Sequence, residues 1–307
     1  MKHTLYKLSG IADEAGPSLT TQIEATKALG WSSIEARNIN GINIHDLPES
    51  DFERVEQELK GSGIQIDCFA SAVANWAKDP LNEKDFEQSV QELQRAIPRM
   101  KRLNTRFLRG MSFRALKESR PDTPEIEDWI VQKLNVLVSL CREHDIVYLH
   151  ENCANFGGLS WEHTLRLVER VDSPHFRLVF DTGNPVGTYD RRGKPWQLQD
   201  SLEFFNQVNM FVDRIHIKDG RFVQPTDKTF NQVEYRWPGE GDGKVVGVLD
   251  SAIKSGFAGT ISIEPHIAQI LHDPGASGTK ENRENSQFNS YVEYGKRLMD
   301  ILDSLNQ

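Results

Sequence analysis

Eight short apolar runs recur along the chain, each followed by a stretch with helical spacing. The runs cover 5–11, 31–36, 64–70, 106–109, 146–151, 176–181, 212–217 and 260–264. Helical stretches follow them at about 18–29, 49–60, 83–102, 124–141, 161–171, 198–208 and 245–255, with a long last one at about 285–305. Strands that read as continuous apolar runs are those buried on both faces, the pattern of a parallel sheet. Eight such β–α units predict an α/β fold, a single (β/α)8 TIM barrel spanning 1–307 as one domain. Barrels of this kind exceed ordinary domain size, and no low-complexity linker divides the 307 residues.

Local signals agree with the alternation. Ser18 precedes the helical stripe Leu19, Ile23, Thr26 and Leu29, and Gly30 follows it. Thr123 and Pro124, then Glu125, Glu127 and Asp128, give the fourth helix a capping hydroxyl, a first-position proline and an acidic first turn. Pro98 is expected to disturb the last turn of the third helix. The last helix aligns Phe288, Tyr291, Tyr294, Leu298, Ile301 and Leu305 against the barrel wall. The 266–285 loop before it is expected either to cover the barrel mouth or to meet a second subunit in a homodimer.

The last four strands end in residues capable of chemistry. Glu151 closes the run from Val147, Asp181 follows Leu178-Val179-Phe180, His216 lies between Ile215 and Ile217, and Glu264 follows Ile261-Ser262-Ile263. Each alone has an ordinary explanation: a loop carboxylate, a turn former, a core histidine, a strand meeting water. Together they fall on consecutive strands of one barrel, at the C-terminal mouth where such barrels place their chemistry. Three carboxylates and one imidazole make a shell for one divalent ion. The mostly hard donors favour Mn2+, Mg2+ or Co2+ and also accommodate Zn2+. Three negative charges against a dication leave the shell at −1, with Lys218, Arg221 and Arg109 as compensating cations.

Further motifs carry a resemblance. They are Asp13-Glu14, the Ala-Leu-Gly-Trp-x-x-Ile-Glu run from Ala28 to Glu35, Asn40-Gly41 and Asp46-Leu47 in the first half. In the second half they are Glu151-Asn152, Phe-Asp-Thr-Gly-Asn (Phe180 to Asn184), His216-x-Lys218-Asp219, Gly-Glu-Gly-Asp (Gly239 to Asp242) and Ile263-Glu264-Pro265. Over nearly its whole length the chain resembles the sugar phosphate isomerase/epimerase group of the xylose-isomerase-like TIM barrels.

The resemblance implies one divalent metal ion held by Glu151, Asp181, His216 and Glu264, with Glu151 and Glu264 doubling as the acid/base pair. It implies isomerisation or epimerisation of a sugar, keto-sugar or inosose by proton transfer next to a carbonyl, through a metal-stabilised enediolate. A dehydratase or lyase acting on a keto-sugar or keto-cyclitol would use the same site. A non-catalytic sugar-binding module would be free to lose the ligand glutamates that this chain keeps. The expected substrate contacts are Lys218, Arg109, Trp76, Asn184 and Arg221. Asn184 departs from the pattern, since many members carry a histidine there. The apurinic endonucleases of the same barrel need additional histidines, and 70–76 and 109–113 contain none.

Three features are left with open readings. Glu240 and Asp242 lie in a glycine-rich segment that reads as a mobile lid or a surface turn. His150 points away from Glu151 along its strand and is expected to be structural. His266 and His272 have no assigned role.

Charge narrows the partners. There are 36 Lys and Arg against 45 Asp and Glu, a net −9, and no basic block. Neither nucleic acid nor an anionic membrane is expected to bind, and the resemblance implies a small carbohydrate. Cys68, Cys141 and Cys153 have no metal-type spacing and read as reduced thiols. Met1-Lys2-His3 runs straight into the first strand, so a cytoplasmic location is expected.

Overall fold

The computed structural model describes residues 5–116, 122–267 and 280–306, with side chains in the last helix described from 285. The barrel strands are β1 (Lys7–Gly10), β2 (Ser33–Ala36), β3 (Gln65–Ala70), β4 (Phe107–Gly110), β5 (Val147–Glu151), β6 (Phe176–Asp181), β7 (Val212–Ile217) and β8 (Thr260–Ile263). The helices are α1 (Leu19–Ala28), α2 (Glu49–Leu59), α3 (Glu83–Arg102), α4 (Pro124–Glu143), α5 (Trp161–Val171), α6 (Ser201–Val208), α7 (Val245–Lys254) and α8 (Lys280–Leu305). Hydrogen bonding runs β1-β8-β7-β6-β5-β4-β3-β2, every pair parallel. A parallel bridge between Ile11 and Glu35 joins the two ends, so the barrel is nearly closed.

Ser18 caps α1 as the sequence places it, whereas Thr123 holds the N-cap position of α4 without a capping hydrogen bond from its hydroxyl. Ser18 Oγ accepts from Thr21 N, and the helix stops before Gly30, whose φ of 71° suits glycine. Two boundaries and one expected distortion differ. α6 begins at Ser201 rather than 198, because Asp200 caps it by accepting from Leu202 N and Glu203 N. α3 runs on through Pro98, which is exposed, while Leu93, Ala96, Ile97 and Met100 anchor the opposite face. α8 starts at Lys280, and most of the 266–285 loop, His272 included, lies outside the described residues. Two antiparallel hairpins, 38–43 and 219–236, were not expected.

Strand periodicity explains how the polar residues reach the mouth. Alternate residues of a strand face opposite sides. Cys68, Val147, Leu149 and Val179 form a separate apolar cluster with Phe107 at its edge. Two residues beyond Phe107, Leu149 and Val179 come Arg109, Glu151 and Asp181, on the same face. The intervening residues pack outward: Phe180 meets Phe204 and Phe205 of α6 edge-on, and Tyr148 donates to the Met111 carbonyl. His150 likewise faces away from the mouth, with Nε2 3.0 Å from Ser112 Oγ.

Candidate active site

The donor atoms of Glu151, Asp181, His216 and Glu264 all lie within 4.8 Å of one another, and all four residues are buried. Donors on opposite sides of a first shell are separated by about 4–4.8 Å, twice an ordinary metal–ligand distance. The spacing therefore fits one ion.

Each donor is aimed by its neighbours. Asp181 Oδ1 accepts from Gly183 N and Asn184 N at 2.8 and 2.7 Å, a turn that holds the carboxylate and leaves Oδ2 facing the site. Asn152 ties β5 to β6, donating to the Asp181 carbonyl and accepting from Asp181 N. Glu151 Oε1 lies 3.5 Å and Glu264 Oε2 3.8 Å from His216 Nδ1. His216 Nε2 is 3.0 Å from both oxygens of Glu35. A carboxylate only accepts, so Nε2 carries the hydrogen and Nδ1 turns its remaining valence toward the three carboxylates. His216 Nδ1 is buried without a hydrogen-bond partner among the described residues, and Asp181 Oδ2 is met by the Lys218 ammonium at 2.9 Å without hydrogen-bond geometry. Buried polar atoms are seldom left as His216 Nδ1 is, and a ring nitrogen facing three carboxylates within 4.8 Å is what a shared cation would satisfy. The donor set thus fits a divalent metal.

Glu35 is the residue that sequence reasoning missed. It is fully buried, and it also accepts from Arg214 Nη1 at 3.0 Å and Ser262 Oγ at 2.8 Å. Arg214 in turn reaches Asp67 at 3.0 Å. A charged residue inside each of two fully buried strands was the available signal, because each must find the other.

The electrostatics favour positive charge at the centre. Burial alone would lower His216, but Glu35 and Glu151 outweigh it and push the imidazole up to about 10. Burial raises Asp181 to about 7 despite Lys218. Burial also opposes ionisation of Glu151 and Glu264. Arg109 beside the first and Lys218 beside the second more than offset it, holding both below the usual carboxylate range.

The expected substrate contacts divide. Lys218 Nζ lies 2.9 Å from Asp181 Oδ2 and 3.0 Å from Glu264 Oε2, inside the shell itself. Gly183 permits this, since a Cβ there would come within 2.8 Å of the Lys218 stem. Asn184 Nδ2 donates to the Asn152 carbonyl at 2.9 Å and lies 3.4 Å from Glu151 Oε1. Arg109 Nε is 3.4 Å from Glu151 Oε2, and exposed Trp76 stands at the mouth. These four line a cavity of about 740 Å3, together with Glu151 and Glu264. Arg221 does not join them: it is exposed on the 219–236 hairpin and donates to the Glu240 carbonyl, because its strand parity turns it outward.

Two further residues acquire places. His266, at the cavity wall, is bound to Glu14 by Nδ1 and its backbone N–H, both at 2.7 Å. Asp219 accepts from the N–H groups of Gly220, Gly239, Gly241 and Gly243 at 2.9–3.0 Å. The glycine-rich loop is therefore clamped to β7's end rather than free to swing as a lid. A Cβ on Gly241 would sit 2.3 Å from Asp219 Oδ1.

The xylose isomerase-like TIM barrel family matches residues 23–287, and the chain belongs to that family. No curated protein sequence matches it. Among solved structures it is similar to a D-tagatose 3-epimerase-like protein, with a TM-score of 0.71 at 18% identity, covering 98% of each chain. It is similar to the IOLI protein solved with a zinc atom, at 0.67 and 15%, covering 97% of this chain and 99% of that one. A xylose isomerase-like TIM barrel protein from Mycobacterium smegmatis in complex with magnesium gives 0.64 and 15%, covering 98% and 97%. At these identities the likenesses establish the fold. Among the described residues no helix is long and apolar enough to cross a membrane.

Proposed function

We propose that the protein is a divalent-metal-dependent enzyme, an isomerase or epimerase that moves a proton beside the carbonyl of a sugar, keto-sugar or inosose. The observation that carries this reading is the convergence of four buried donors, two of which, Glu151 and Glu264, line a cavity of monosaccharide size. Family membership and the sugar epimerase-like and metal-bound relatives support it. Three oxygen donors and one nitrogen favour Mn2+ or a similar hard ion. Bound there, such an ion supplies Lewis acidity to a carbonyl and its neighbouring hydroxyl.

The chain's own residues do the rest. Glu151 approaches from β5 and Glu264 from the end of β8, so one takes a proton from one face of the substrate and the other returns it on the opposite face. Held below the usual range, both are weak bases, and the reaction depends on an acidified C–H. Lys218, within hydrogen-bond distance of Asp181 and Glu264, is placed to meet negative charge developing on a substrate oxygen. Trp76 offers an apolar face at the rim.

The test is exchange of solvent deuterium into a panel of ketoses and inososes by Mn2+-loaded protein. Glu151→Gln and Glu264→Gln are run beside it, with metal content measured in the same samples. Loss of a positioned base costs about 10^2–10^4 in rate. Wild-type exchange in both metal-loaded variants would overturn the assignment.

A further inference from the structure

We infer that the substrate carries a carboxylate next to its reacting carbonyl, and that Arg109 is the residue that binds it. This rests on the enzymatic reading above and narrows its substrate class to keto acids.

Most buried cations around the cavity already face carboxylates of the protein. Arg37 contacts Asp13 at 3.0 Å, Glu264 at 2.9 Å and Glu14 at 3.3 Å. Lys218 is held between Asp181 and Glu264, and Arg214, below the site, between Glu35 and Asp67. At the rim, Arg114 pairs with Asp79. Arg109 is different. Its one ionic contact is Nε to Glu151 Oε2 at 3.4 Å, longer than a charge-assisted hydrogen bond, and Nε has no hydrogen-bond partner. Among the described residues no acceptor takes a hydrogen bond from its two terminal nitrogens, although the residue is buried and lines the cavity.

A buried guanidinium with its fork open is costly unless something completes it. Two parallel N–H groups in a plane match two coplanar oxygens, and that is a carboxylate. A phosphate dianion would bring a second negative charge, and among the described residues the other cavity cation without an ion pair, Lys228, is exposed rather than buried beside Arg109. Strand geometry fixes where the carboxylate lies. The Arg109 carbonyl accepts from Ser71 N and Oγ at 3.2 and 2.6 Å, so the strand end is held, and Nε stays beside the oxygen of a proposed metal ligand. The carboxylate is thus adjacent to the chelated carbonyl rather than at the far end of the substrate. Among the wall residues, Asn43, Ser71, Asn75 and Asn184 are neutral groups suited to hydroxyls.

Hydroxypyruvate and dihydroxyacetone test this, since they differ only in a carboxylate against a hydroxymethyl group. Both are titrated calorimetrically into Mn2+-loaded wild type, Arg109→Met and Arg109→Lys, with Mn2+ affinity measured for each protein. Wild type should prefer hydroxypyruvate by about ten- to hundredfold. Arg109→Met should lose the preference while still binding Mn2+ and dihydroxyacetone, and Arg109→Lys should keep part of it. Equal affinities in wild type, a preference that survives in Arg109→Met, or inorganic phosphate outcompeting hydroxypyruvate would each overturn the inference. If wild type binds no Mn2+, the enzymatic reading fails on its own, and the same pair titrated without metal still reads the Arg109 preference.

Discussion

Replacing Glu35 by Gln keeps the shape of the side chain and removes its charge, which isolates what that buried carboxylate does. Its two oxygens accept from His216 Nε2, Arg214 Nη1 and Ser262 Oγ, all at 2.8–3.0 Å. Gln offers one accepting oxygen, and its NH2 group must face one of these donors. Arg214 is then left with Asp67 as its only carboxylate partner. Breaking a buried pair on one side costs about 3–5 kcal/mol. Unfolding entropy of about 2.1 cal/mol/K per residue, scaled to a chain of 307, converts that to a fall in Tm of about 5–8 °C. Losing the group that orients a ligating histidine costs a further ten- to hundredfold in metal affinity. Differential scanning calorimetry of metal-free protein reads the first effect, and Mn2+ titration of the folded variant reads the second. A variant with lowered Tm but wild-type Mn2+ affinity would refute the positioning role and leave Glu35 as a structural charge. An unchanged Tm would refute the buried pairing itself.

Other outcomes follow from the same geometry. Asp219→Asn turns an NH2 group toward four amide donors and should lower Tm by a few degrees, with faster hydrogen exchange confined to 239–243; unchanged exchange there would contradict the clamp. Gly183→Ala drives a methyl into the Lys218 stem and should weaken Mn2+ binding more than it lowers Tm, checked by paired titrations and melts. His150 is buried, and burial lowers its pKa to about 4. The unfolded chain binds its proton near 6.5, so this histidine's share of stability is full above that pH and is lost as pH falls toward 4. That share is about 3 kcal/mol. Denaturant unfolding of wild type and His150→Gln between pH 7 and 4 should show a shallower decline in the variant; parallel slopes would contradict it.

The barrel was legible because strands buried on both faces leave continuous apolar runs, and period two then forces Glu151, Asp181 and Arg109 inward once Leu149, Val179 and Phe107 are inside. Convergence was legible because four neighbouring strands end in donors. Glu35 was not, since Ser-Ile-Glu-Ala in isolation reads as any strand; only its pairing with Arg214, 179 residues away, makes the charge tolerable. The 219–236 hairpin was hidden for a related reason. Its strands carry mixed polarity and are joined by the long segment 225–231 instead of a two-residue turn, so neither register nor turn chemistry announced it. Arg221 was misplaced with it: three residues from Lys218 in sequence, it sits on a strand that leaves the barrel.

The charges suggest why so acidic a floor holds together as it stands. Three like carboxylates within 4.8 Å of one imidazole would repel one another, yet each has its own cation: Lys218 for Asp181, Lys218 and Arg37 for Glu264, Arg109 for Glu151. A divalent ion entering the shell meets the same oxygens that Lys218 holds, so metal affinity is a difference between two cations and not the full attraction of three carboxylates. The arrangement gives up affinity and gains a preassembled geometry, which is what a reaction sensitive to the position of two glutamates requires. Of these cations, Arg37 and Lys218 answer more than one carboxylate, whereas Arg109 answers a single oxygen at long range. A cation added only to steady Glu151 would sit closer. The 3.4 Å gap and the open fork are what the proposed carboxylate partner in the cavity would complete.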